Sequence, residues 1–264
     1  MRYNKAEIEA FAHETLTEGV CILRDHLPRQ LLSKWHEAFL PLLRSHIDNE
    51  GELQNRGPGR FYVTLPFIAP FADEVVFTDP DVLGIVEKLV GADFTMVQLA
   101  TDTPLLGSEF QALHRDAPPL FPEMKLESPP FQLAVNFPLV DVTIENGPFE
   151  VAMGTHMMAK DRAFEAIETG EVALVPLLMQ AGDLMIRDVR GIHRGTPNRT
   201  NEPRPMCVIG YSRKWLFRPE VSIRIPMHTW ASLSPISKQM LRFNPRVESL
   251  DPNDGHELYQ AFAY

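Results

Sequence analysis

The run Phe131-Gln-Leu-Ala-Val-Asn-Phe-Pro-Leu-Val140 sets the fold class of this chain. It is one of five short, largely apolar runs that follow one another from Phe94 onward: FTMVQLA (94–100), FQLAVNFPLV (131–140), VALVPLLM (172–179), DLMIRD (183–188) and MCVIGYS (206–212). Runs of this length, separated by turn residues, predict an antiparallel β core. Asn146-Gly147 lies between two of them. Both residues tolerate the positive φ of a tight turn, so a hairpin is expected there, ending at Val151.

Before Phe94 the apolar spacing is helical. Ile8, Phe11, Ala12 and Leu16 form one stripe with Gly19 placed to end the helix, and Val20-Cys21-Ile22-Leu23 then reads as a short strand. After Pro28, a second helix carries Leu31, Leu32, Trp35, Phe39 and Leu43, and Pro41 is expected to kink or divide it. A third runs from Asp79-Pro80 to Leu89, with Gly91 at its end. Helices first and strands afterwards predict an α+β chain, its strands closed into a double-stranded β-helix, a cupin-like jelly roll flanked by N-terminal helices. No linker-like composition divides the 264 residues, so one domain over 1–264 is expected: a helical layer to about 92, the β core over about 93–215, and a C-terminal extension over 216–264.

A formal net charge of -10 with no local Lys/Arg cluster argues against nucleic acid and anionic membrane as partners and favours a small molecule. The first residues lack the apolar core of a secretory signal, no apolar run approaches membrane-spanning length, and a cytoplasmic location is expected. Cys21 and Cys207 sit in apolar strand-like runs and read as reduced packing residues.

The chemistry is carried by His114-Arg115-Asp116, by His193, and by Arg204 eleven positions further on. Residues i and i+2 of a strand share a face, so His114 and Asp116 can hold one metal ion together while Arg115 points away. His193, just after the run 183–188, can complete the set from a second strand. Two His and one carboxylate on one face of a metal leave the opposite positions open, which is the arrangement of non-heme Fe(II) oxygenases. Arg204 stands between Pro203 and Pro205, which favour extended backbone and a fixed side chain able to clamp a carboxylate bidentately. The same triad with Zn(II) or Mn(II) would suit a hydrolase or isomerase, with Arg204 on the substrate. A jelly roll that only binds a ligand is the third reading.

The order His114-x-Asp116, then Glu145-Asn-Gly-Pro-Phe-Glu-Val-Ala-Met-Gly-Thr-His156, then His193 and Arg204, resembles the phytanoyl-CoA dioxygenase (PhyH-like) family of Fe(II)/2-oxoglutarate-dependent oxygenases, over roughly Phe94 to Tyr211. The resemblance implies Fe(II) bound by His114, Asp116 and His193, with 2-oxoglutarate and O2 as cosubstrates. It implies that Arg204 pairs with the distal carboxylate of 2-oxoglutarate, and that a small-molecule metabolite is hydroxylated with release of succinate and CO2. The Asp116 carboxylate argues against the halogenating variant of such enzymes, in which a small residue stands there. Where the family often has Ser two positions after the distal His, this chain has Gly195, followed by Thr196 as the candidate hydroxyl for the cosubstrate.

Gln98 and Asn136, on strands beside the proposed site, are candidates to hydrogen-bond the cosubstrate or substrate, or are satisfied polar groups of the wall. Arg56, Arg60 and Tyr62 cluster at a Gly-Pro-Gly turn within 54–67 and are candidates to line the pocket mouth for a polar or anionic substrate. His156 reads as structural, and His13, His26, His36 and His46 as solvated surface positions. Arg187 and Arg190 flank the approach to His193, where an anionic substrate and surface ion pairs explain them equally well. The stretch 117–130, with five prolines, reads as a lid or a rigid connector.

Overall fold

The structure, a computed structural model, describes residues 1–50, 56–121, 123, 127–216 and 222–250. In chain order the elements are α1 (Lys5–Glu18), β1 (Val20–Leu23), α2 (Arg29–Glu50), β2 (Arg60–Thr64), α3 (Glu74–Phe77), α4 (Pro80–Val90), β3 (Phe94–Pro104), β4 (Gln132–Pro138), β5 (Phe149–Ala152), α5 (Lys160–Glu168), β6 (Leu174–Leu177), β7 (Leu184–Asp188), β8 (His193–Gly195) and β9 (Met206–Arg213). They are followed by β10 (Ile225–Pro226), α6 (Met227–Ser232), α7 (Pro235–Met240) and β11 (Arg246–Val247). Six strands form one sheet in the order β1-β7-β4-β9-β3-β2, and β6-β5-β8 form a second. Every pairing within these two sheets is antiparallel, giving the jelly-roll core that the runs after Phe94 predict.

Both faces of the large sheet are covered, which explains why its strands read as continuous apolar runs. One face of β4, β7 and β9 presents Leu133, Val135, Phe137, Leu184, Ile186, Cys207 and Ile209 to a core shared with Ile8, Leu32, Trp35, Phe39, Val86 and Leu89 of the N-terminal helices, and with Ile225 and Leu241 near the other end of the chain. The alternate positions, among them Asn136, Arg187 and Val208, face the cavity that β5 and β8 close from the other side. Next to that cavity a smaller cluster of Val20, Val151, Leu177, Met185 and Met206 binds the two sheets together.

Local signals explain the helices. Asn4 caps α1 by accepting from Ala6 and Glu7, and Glu7 returns a bond to the Asn4 N–H; Gly19, at φ 83°, ends the helix. Leu16 belongs to the predicted stripe but is exposed. Helix α2 runs through Pro41 undivided. Pro41 and Glu37, whose carbonyl loses its donor, both lie on the exposed side, where water can replace the bond.

The predicted hairpin at Asn146-Gly147 needs correction. Those residues link β4 and β5, which belong to different sheets, so the turn carries the chain between sheets. Gly147 takes the positive φ, at 85°, but Asn146 does not. His26 is also not a surface residue: its side chain is buried and its Nε2 lies 3.0 Å from Asp79 Oδ1, the N-cap of α4. The His46 ring meets Phe61 edge-on.

Cys21 and Cys207 are free and buried, and burial pushes the Cys21 thiol up to about 12 and the Cys207 thiol well above its ordinary value. β1 and β9 are three strand positions apart in the sheet, roughly 14 Å, well beyond disulfide reach. Among the described residues no helix is long and apolar enough to cross a membrane.

Trp35 is fully buried and meets Phe71 and Phe137 edge-on at 5.2 and 5.5 Å, joining α2 to the sheet. Trp35→Ala is expected to cost roughly 3–5 kcal/mol in urea unfolding, whereas Trp35→Phe is expected to cost less than half of that; equal losses would show that the contact does not carry the layer.

Candidate metal centre

After β3 the chain leaves regular structure, and at His114 it forms an isolated antiparallel bridge with His193, the first residue of β8. The two backbones exchange both bonds: the His114 N–H donates to His193 O at 3.1 Å and the His193 N–H to His114 O at 3.0 Å. The Asp116 N–H adds a bond to Val189 O at 2.9 Å. The expected regular strand through His114 and Asp116 is therefore a loop held extended by three bonds. The alternation of a strand survives in it. Arg115 points away, fully buried, donating to Thr155 O at 2.8 Å, Met158 O at 2.6 Å and Glu127 at 2.9 Å.

The three side chains of the triad converge. Nε2 of His114 and of His193 lie 3.6 and 3.4 Å from Asp116 Oδ1, and the three ligand atoms all fall within 4.8 Å of one another. Each Nδ1 faces a backbone carbonyl, Ala112 O at 2.8 Å and Gly191 O at 2.9 Å. A carbonyl only accepts, so Nδ1 carries the proton and Nε2 offers its lone pair to the shared centre. Burial pushes the His193 imidazole below its ordinary pKa despite the neighbouring Asp116 charge, which keeps it neutral. Burial opposes ionisation of Asp116, but the Arg187 guanidinium and His193 outweigh it and hold the carboxyl well below the usual range. Two imidazoles and a carboxylate on one side of an open cavity fit Fe(II).

Arg204 lines the same cavity at 2% exposure. Its Nε and Nη2 donate to Gly147 O at 3.1 and 2.7 Å. Burial pushes its pKa down to about 10, with Asp102 opposing and Arg60 adding to the shift. Asn146-Gly147, read from sequence as a hairpin, is thus the seat of Arg204. A side chain at 147 would bring its Cβ within 2.7 Å of Thr196 O.

Gln98 and Asn136 both line the cavity. Gln98 donates to the Tyr62 hydroxyl, while Asn136 donates to Cys207 O and accepts from Arg187 Nε. The Thr196 hydroxyl donates to Pro148 O at 2.8 Å, away from the cavity wall.

Of the residues expected at the pocket mouth, Arg56 and Tyr62 line the cavity, with the Arg56 cation 4.7 Å from the Tyr62 ring centre. Gln54 and Asn55 of that stretch lie outside the described residues. Arg60 is turned away: it is buried, paired with Asp102 at 2.7 Å and donates to Thr196 O at 2.6 Å. Its guanidinium fills the space that a side chain at Gly195 would need, since a Cβ there would fall 2.4 Å from Nη1. Gly195 in place of the family's Ser and the buried Arg60 are one packing solution.

Arg190 is not on the surface either; it is fully buried against Asp188, Glu127 and Ser128. Residues 122 and 124–126 of the stretch read as a lid lie outside the described residues, and at its far end Glu127 is anchored to Arg115 and Arg190. His156 is buried with Nε2 3.1 Å from Leu16 O, a structural role as expected.

Sequence reasoning left Arg187 unassigned, yet it lines the cavity and binds Asp116. The available signal was a cation inside a run otherwise fit for the core, in a position that alternation points inward. Phe149, Gln111, Asp102 and Gln132 also line the cavity and carried no such signal.

Residues 16–206 match the model of the phytanoyl-CoA dioxygenase (PhyH) family. Dioxygenase aneA of Aspergillus aculeatus is 26% identical over 243 residues, which cover 86% of this chain and 79% of that protein. Iron/alpha-ketoglutarate-dependent dioxygenase ausU of Aspergillus calidoustus is 26% identical over 153 residues, 56% of this chain and 49% of that one. In fold, the chain is similar to the epimerase SnoN of nogalamycin biosynthesis in complex with Fe3+, alpha ketoglutarate and nogalamycin RO, with TM-score 0.60 and 20% identity over 80% of this chain and 85% of SnoN. It is also similar to HygX of Streptomyces hygroscopicus with nickel, 2-oxoglutarate and hygromycin B bound, with TM-score 0.57 and 15% identity over 84% and 91% of the two chains. With the family model spanning both segments of the triad, this chain belongs to the phytanoyl-CoA dioxygenase family and is an Fe(II)/2-oxoglutarate-dependent oxygenase.

Proposed function

We propose that His114, Asp116 and His193 hold Fe(II), that Arg204 binds the distal carboxylate of 2-oxoglutarate, and that the enzyme hydroxylates a polar small molecule. The observation that carries the reading is the convergence of the two Nε2 atoms and Asp116 Oδ1 in the cavity that Arg204 also lines. When bound, Fe(II) with 2-oxoglutarate and O2 supplies the oxidising chemistry, one oxygen atom leaving in succinate beside CO2 and the other entering the substrate.

The protein's own contribution is to bind and orient. Among the described residues the Arg204 side chain hydrogen-bonds only to the Gly147 carbonyl, and the Asp102 charge reaches it without a direct ion pair. A buried cation facing only a neutral carbonyl is destabilising until an anion joins it, which supports a carboxylate as its partner. Gln98 and its bond to Tyr62 place a further amide on the same wall. Thr196 has its hydroxyl engaged with Pro148 and takes no part in this set.

Arg60 is paired with Asp102, while Arg56 lines the cavity beside the Tyr62 ring. Gln111 and Asp102 offer hydrogen bonds nearby, while Phe149 and Val189 supply apolar wall that restricts water. Such a lining supports a small molecule bearing both polar groups and apolar surface. The structures of SnoN and HygX contain nogalamycin RO and hygromycin B.

Two outcomes are expected. In calorimetry on metal-loaded protein, Arg204→Ala weakens 2-oxoglutarate binding on the order of 100-fold, and Gly147→Ala, which displaces the carbonyl that seats Arg204, weakens it in the same direction with metal binding intact. Unchanged cosubstrate affinity in Arg204→Ala would refute the assignment. With isotopically labelled O2 and a library of polar small molecules, the compound that stimulates succinate release is expected to gain one labelled oxygen; a product without added oxygen would overturn the hydroxylase reading.

A further inference from the structure

The two oxygens of Asp116 have different tasks. Oδ1 faces both imidazoles, and Oδ2 accepts from Arg187 Nη2 at 2.6 Å. Arg187 is only 8% exposed and stands on β7 between Ile186 and Asp188, turned to the cavity by strand alternation. Its Nε donates at 3.2 Å to Asn136 Oδ1 on neighbouring β4, and Asn136 Nδ2 donates at 3.3 Å to Cys207 O on β9. The guanidinium carbon lies 5.1 Å over the Phe149 ring, which in turn stacks on His193 at 4.8 Å and 30°. Three adjacent strands and one aromatic ring therefore fix the direction of this one cation. Removing it would leave Asp116 with a free oxygen and a free rotation.

We infer that Arg187 is a positioning residue for the metal centre, holding Oδ2 so that Asp116 presents Oδ1 alone, and that Asn136 acts through Arg187. The inference rests on the triad being the Fe(II)/2-oxoglutarate site. A carboxylate free to turn both oxygens to the metal would occupy a position that the cosubstrate needs. The fork geometry explains why an arginine stands here: one planar group reaches Asn136 and Asp116 at once, which a lysine ammonium on a flexible stem does not reproduce. Both ends of the Asn136 amide are already engaged, and this assigns it to orienting Arg187 instead of binding cosubstrate.

The test uses Ni(II)-loaded protein, which does not turn over, so activity plays no part. Crystal structures of the wild type and of Arg187→Met, Arg187→Lys and Asn136→Leu report the Asp116 carboxylate, and calorimetry reports 2-oxoglutarate affinity. The wild type is expected to ligate through one Asp116 oxygen with Oδ2 on Arg187. Arg187→Met is expected to keep Ni(II), to show a rotated carboxylate, and to bind 2-oxoglutarate roughly tenfold or more weakly, with Arg187→Lys recovering part of the loss. Asn136→Leu is expected to lose less, and the double variant Arg187→Met with Asn136→Leu no more than Arg187→Met alone, because the two act in series.

An unrotated carboxylate with wild-type affinity in Arg187→Met would overturn the assignment. Additive losses in the double variant would instead place Asn136 on the cosubstrate itself. Should Arg187→Met fail to fold, the lysine and Asn136 variants make the same comparison. Ni(II) binding by the wild type without any 2-oxoglutarate binding would refute the proposed function, while the Asp116 orientation in the Ni(II) structures would still decide the role of Arg187.

Discussion

The proposed metal centre depends on two backbone hydrogen bonds between His114 and His193. They tie a loop that leaves β3 to the first residue of β8, and with it bring the large sheet's connection and the small sheet into one site. Because the residues face each other across the bridge, their rings stand 4.4 Å apart and share one centre. The Asp116 N–H bond to Val189 O sets the third proposed ligand on the same side. Backbone pairing is a sturdy way to do this: a buried peptide group without a partner is costly, so the loop has little freedom to move its ligands apart.

The buried arginines fall into two kinds. Arg60, Arg115, Arg187 and Arg190 each have a carboxylate within salt-bridge distance. These pairs brace the cavity, and breaking one would strand its partner in low dielectric. Arg204 differs, since it is seated on a neutral carbonyl. Within a chain of net charge -10 this cavity concentrates cationic groups around one carboxylate triad member, which suits an anionic cosubstrate without making the whole surface attractive to polyanions.

Much of this was legible in the sequence, and the rest was hidden for physical reasons. The five runs after Phe94, the helix end at Gly19 and the triad spacing are local signals, and the structure follows them. Asn146-Gly147 marked a turn, but turn chemistry does not say which sheets it joins. Arg60 looked like a pocket cation because its carboxylate partner, Asp102, is distant in sequence; Arg190 pairs with nearby Asp188, but the contacts to Glu127 and Ser128 that complete its burial are distant. Arg187 was visible as a charge within an apolar run, whereas its partners Asn136 and Asp116 are set by strand order, which the chain does not state locally. The oxygenase class itself came from the order of several motifs, none of which is specific alone.

The most direct measurement of the central claim is anaerobic titration of the protein with Fe(II) and then with 2-oxoglutarate, followed by visible absorption. The account predicts a weak charge-transfer band that requires both, is lost in His114→Ala and saturates at one cosubstrate per iron. Iron binding by His114, Asp116 and His193 with no band on adding 2-oxoglutarate would contradict it.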